Sequence, residues 1–165
     1  MTTDDGFASA DVARAWPYIR RSVDRIVQRC VEAPGGRLNW RPPAENANSL
    51  ASLATHAMGN LEHRLLGLLC GYDRKRDRDR EFAAAETTAE EIVERWAALS
   101  AELETALSQL NDRRVDGMFE HPERGTITGH DILLIAARHM AEHEGHAALT
   151  FDLLAASAVE QRGLS

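Results

Sequence analysis

Apolar residues recur at the helical period in four stretches of this chain, separated by segments rich in Gly, Pro, Asn and charge. The first stretch runs from about Ser9 to Glu32, with Val12, Ile19, Val23, Ile26, Val27 and Val31 recurring near that period. Pro17 interrupts it early. Either the helix kinks there, or it starts at Trp16 with Pro17 in its first turn, where a missing N–H costs nothing. Pro34-Gly35-Gly36 stops the chain, and residues 41–48 read as loop. Asn48 or Ser49 can cap a second helix, from about Ser49 to Cys70, that carries Leu50, Leu53, Ala57, Leu61, Leu65 and Leu68 on or near one side. Gly71 ends it, and the charged run from Tyr72 to Phe82 reads as a solvated loop.

Thr88 with Glu91 offers a capping box for a third helix reaching about Leu110, striped by Ile92, Trp96, Leu99, Leu103, Ala106 and Leu110. Residues 111–128 form a polar connection. Thr128 with Asp131 then starts a fourth helix, to about Ala156, carrying Ile132, Leu133, Ala136, Met140, Ala147 and Leu154. No segment alternates strictly enough to predict a sheet. The expectation is an all-α four-helix bundle, one domain over residues 1–165 with its core at about 9–157.

The net charge of -7 gives no basic face for nucleic acid or an anionic membrane surface. No apolar run approaches the roughly 20 residues of a membrane helix. The acidic N-terminus has neither the basic nor the apolar region of a signal peptide. Cys30 and Cys70 form no Cys-x-x-Cys pair and read as buried free thiols, which suits a reducing compartment. A cytoplasmic protein is expected.

Candidate chemistry lies in the histidines. His139, His143 and His146 follow an i, i+4, i+7 pattern, which at 3.6 residues per turn keeps them within roughly 60° of arc. An i, i+4 pair is a well-formed half of a metal site, because both imidazoles can converge on one ion at about 2 Å. His56, Asn60 and His63 repeat the spacing on the second helix. His139 and His143 flank the apolar stripe of the fourth helix, where burying imidazoles is costly unless each finds a partner. Structural or surface histidines are the alternative reading, and His121 and His130 are assigned to it.

Two stretches resemble the DinB/YfiT-like superfamily of small four-helix bundles with a three-histidine metal site. One is Asn48-Ser-Leu-Ala-Ser-Leu-Ala-Thr-His56-Ala-Met-Gly-Asn60, followed by Arg64 and by Arg76-Asp-Arg-Asp79-Arg-Glu81-Phe82. The other, His139-Met-Ala-Glu-His143-Glu-Gly145-His146, is similar to the family's His-x-x-x-His-x-Gly-Gln pattern, with histidine at 146 where glutamine is frequent. The resemblance implies metal ligation by His56, His139 and His143, with a divalent ion such as zinc or nickel. His146 or His63 could add a fourth ligand, which would turn an open, catalytic style of site into a closed one.

Glu142, Glu144, Glu62 and Asp79 are candidates to accept the second N–H of a ligating imidazole. Asn60, one turn from His56, could orient a ligand or a bound water. Arg64 and the Arg76–Arg80 run receive an anionic substrate, cap helix ends, or are a solvated charge run. Relatives include metal-dependent enzymes that use low-molecular-weight thiols, and hydrolase-like members. The function implied is thus a thiol-dependent S-transferase or a hydrolase acting on a small molecule. The alternative is a non-catalytic metal-binding or stress-associated bundle. The resemblance also allows a homodimer, with Trp16 and Trp96 either at its contact or in the core.

Overall fold

The computed structural model describes residues 6–74, 87–121 and 124–163. The chain is mostly helical. Helix α1 spans Ala10–Val31, α2 Leu50–Leu61, α3 Ala89–Ser108, the single turn α4 Asp112–Val115, and α5 Gly129–Gly163. One turn of 3-10 helix, Pro34–Gly36, follows α1. Strands β1 (Met118–His121) and β2 (Gly125–Thr128) pair antiparallel.

Helix starts follow the capping chemistry. Ser49 accepts the Ser52 N–H at 3.1 Å and is the cap of α2. Thr88 and Glu91 close a reciprocal box on α3. At α5 the Asp131 carboxylate accepts from the Thr128 N–H at 2.9 Å and from its hydroxyl at 2.7 Å, while Thr128 Oγ1 accepts from the Asp131 N–H. Each such cap is worth about 1 kcal/mol. Pro17 lies inside α1, which begins well before it at Ala10, so the reading in which the helix starts at Trp16 is excluded.

The four long helical segments pack on one apolar core. Val12, Ile19, Val23 and Ile26 of α1 meet Leu53, Ala57 and Leu61 of α2, Leu103 and Leu107 of α3, and Ala136, Met140 and Ala147 of α5. Trp16 and Trp96 belong to this core, and the Trp96 indole N–H donates to Asp24 at 2.6 Å. Val31, expected on the apolar stripe, is 56% exposed at the last position of α1.

Two expectations are corrected. The second helix does not continue as an α-helix to Cys70: Glu62–Leu69 winds as π-helical turns. The wider winding keeps Leu65, Leu66 and Leu69 all buried and passes the Cys70 N–H to the Leu65 carbonyl at 2.8 Å. The connection before α5 is a β-hairpin rather than an irregular polar loop. Met118 faces Thr128 and Phe119 faces Ile127 across it. Phe119 and His121 turn inward while Met118 and Glu120 stay exposed, an alternation only four residues long. Gly129 lets the start of α5 approach the end of the α4 turn. A Cβ there would stand 2.5 Å from the Val115 carbonyl oxygen, and the Gly129 N–H donates to Gly117.

Candidate metal centre

His56 projects from the middle of α2, and His139 and His143 project from successive turns of α5, the helix packed against it. One ring nitrogen from each of the three lies within 4.8 Å of the others. The Nε2 atoms of His139 and His143 are 3.1 Å apart. Ring centroids stand at 5.6 Å for His56–His139, 4.7 Å for His56–His143 and 4.4 Å for His139–His143, all edge to face. His56 is buried, and His139 and His143 are half-buried.

This donor set fits a divalent ion. Two imidazoles on a tetrahedral zinc at about 2.05 Å hold their nitrogens about 3.3 Å apart, close to the spacing of the His139–His143 pair. The third nitrogen needs to close in by no more than about 1.5 Å. Three neutral imidazoles suit zinc, nickel and other borderline ions.

The remaining candidates separate. His146 is exposed, with its ring 5.8 Å from that of His143, and neither it nor His63 joins the group. Among the described residues, the cluster of metal-capable side chains is therefore three histidines and no acid. Glu142 stands by a ligand: its Oε2 is 3.6 Å from His139 Nδ1, and its Oε1 faces Arg138 at 3.5 Å. Glu144 turns the other way, to α1, where it accepts from Ser22 at 2.8 Å and Arg25 at 2.7 Å. Burial pushes its carboxyl up, and the bonds from Arg25 and Ser22 with the charges of Arg25 and Arg29 more than offset this, so it titrates below the usual range. Glu62 is engaged by Arg95 of α3 at 3.2 Å. Asp79 and the Arg76–Arg80 run lie outside the described residues.

Asn60 is buried on α2, one turn after His56. Arg64, on the π-helical turns, has Nη1 3.3 Å from Nε2 of His121, so the two meet beneath the hairpin. No spacing rule links positions 64 and 121; only the inward alternation of Phe119 and His121 hinted at it. His130 belongs to a separate cluster, 2.8 Å from Asp116 and 3.2 Å from Asp11. The hydrogen bond to Asp116, with the charges of Asp11, Asp116 and Asp131, raises its pKa above the ordinary imidazole value, against the opposing effect of desolvation. Burial pushes the Cys30 thiol up to about 12 and Cys70 to about 11, the latter despite nearby Arg114, so neither is a thiolate at neutral pH.

The family model of the DinB superfamily matches residues 18–147, a span that holds all three clustered histidines. The chain belongs to the DinB superfamily. No curated protein and no solved structure matches it. A DinB-superfamily chain with three imidazoles converging from α2 and α5 is compatible with metal binding. No helix among the described residues is long and apolar enough to cross a membrane.

Proposed function

We propose that this protein is a metal-dependent enzyme of four-helix-bundle architecture that acts on a small molecule, by thiol-dependent S-transfer or by hydrolysis. His56, His139 and His143 would hold the ion, zinc or nickel. The observation that carries this reading is the convergence of their ring nitrogens within 4.8 Å, with no fourth metal-capable side chain among the described residues. Three ligands leave a coordination position for a reactant, the catalytic style of site. When bound, the ion supplies Lewis acidity that lowers the pKa of a water or thiol and polarises a carbonyl.

The chain's own groups do the rest. The helical spacing of His139 and His143 orients both rings from one rigid element. Glu142, by closing from 3.6 Å onto His139 Nδ1, would fix that ring's tautomer and strengthen its donor nitrogen. The apolar core behind His56 keeps bulk water off one side of the site. In this reading the protein works in the cytoplasm, as a monomer or a homodimer.

The test is turnover by zinc- or nickel-loaded protein. A panel of low-molecular-weight thiols is offered with an electrophilic acceptor, and a panel of small esters and amides is assayed for hydrolysis. Metal-dependent product formation that disappears in His143→Ala is the expected result. A fully metal-loaded protein that turns over neither panel would favour a non-catalytic metal-binding bundle.

A further inference from the structure

Beside the apolar residues it gives the core, α2 carries a buried polar line. Ser49, Ser52, His56 and Asn60 are all buried, and their spacings of three, four and four residues keep them on one side of the helix. Ser49 and Ser52 bond to each other at 3.0 Å, and Arg41 donates to Ser52 at 3.3 Å. Asn60 differs. It is 1% exposed, and its Oδ1 has no hydrogen-bond partner among the described residues. An unmet acceptor at that depth carries the desolvation cost of a polar group with no compensating bond. Helical side chains lean toward the preceding turn, so Asn60 lies over His56.

We infer that Asn60 is a positioning residue of the metal centre, whose Oδ1 accepts a hydrogen bond from an N–H or O–H carried within one to three bonds of the ligand atom that binds the ion. This rests on the metal reading above. It defines a substrate class: molecules that present a metal-binding oxygen or sulfur beside a hydrogen-bond donor, such as hydroxamates, amides and hydroxyl-bearing thiols. A ligand of similar shape without the donor leaves Oδ1 buried and unmet, and is rejected for that reason.

The probe pair is acetohydroxamate and N-methylacetohydroxamate, which differ at the N–H. Each is titrated into the cobalt(II)-loaded protein and followed by the visible absorption of cobalt. The parent protein is expected to bind acetohydroxamate about ten-fold more tightly than the methylated compound. In Asn60→Leu and Asn60→Ala this preference disappears while cobalt uptake persists. The metal-free Asn60→Leu protein should unfold at or above the parent's temperature, because it no longer buries an unmet oxygen. Equal loss of both hydroxamates in the variants would overturn the inference and leave the metal reading standing. So would a fall in the metal-free unfolding temperature of both variants, which would give the amide a structural role. Failure of the parent to take up cobalt would overturn the metal reading, and this inference with it.

Discussion

His130 and the His139–His143 pair stand on the same helix, yet their neighbours give them opposite chemistry. His130, at the start of α5 and 46% exposed, sits between the carboxylates of Asp11 and Asp116, which favour its charged form. His139, on the same helix with its side chain 22% exposed, lies edge to face with the imidazoles of His56 and His143, and the Glu142 carboxylate is 3.6 Å away. A ring surrounded by acids is an ion-pair partner. Rings that face one another at 3.1 Å between nitrogens gain most from a shared cation. Spacing along the sequence does not separate these roles; the elements packed against each ring do.

Zinc should separate the two histidine clusters most strongly. At free zinc between a hundred and a thousand times its Kd, the parent and His130→Ala should each gain about 3–4 kcal/mol of stability, read as a shift in the denaturant midpoint. His139→Ala/His143→Ala should gain almost none. An equal gain in that double variant would erase the distinction between the clusters.

The smaller test is pH. His130 has a folded pKa above its ordinary 6.5, so its contribution is fully present below about pH 6.5 and fades as pH rises through the raised folded value. Water screens these pairs, so the contribution is about 0.5 kcal/mol or less. The stability difference between parent and His130→Ala, measured in zinc-free buffer, should therefore narrow between pH 6 and 8. A difference that widens over that range would contradict the ion-pair assignment.

The four long helical segments were legible because each has its own stripe and its own punctuation. Ser49, Thr88 and Thr128 cap where their side chains allow, and Gly71 follows the second segment with a positive φ of 83°. The π-helical winding of Glu62–Leu69 was not legible, because adjacent leucines at 65 and 66 suit either winding and packing decides between them. The hairpin escaped for a related reason. Four residues of alternation are too few to stand out from loop.

At the site, the i, i+4 spacing of His139 and His143 was readable as half of a metal cluster. His56 came from the family resemblance, since nothing in its own neighbourhood says which helix it meets. Carboxylate partners were the least legible. Glu142 and Glu144 are two residues apart, and only the position of α1, with Ser22 and Arg25 reaching toward Glu144, separates them.

Metal content of the purified protein, measured by elemental analysis on the parent and on His56→Ala, tests the central claim most directly. His56 is the one clustered histidine from α2, so its loss separates a site spanning two helices from a simple pair on α5. About one divalent ion per chain is expected in the parent, and loss of that ion in His56→Ala. A parent that takes up no zinc or nickel, or a His56→Ala protein that keeps a full complement, would contradict it.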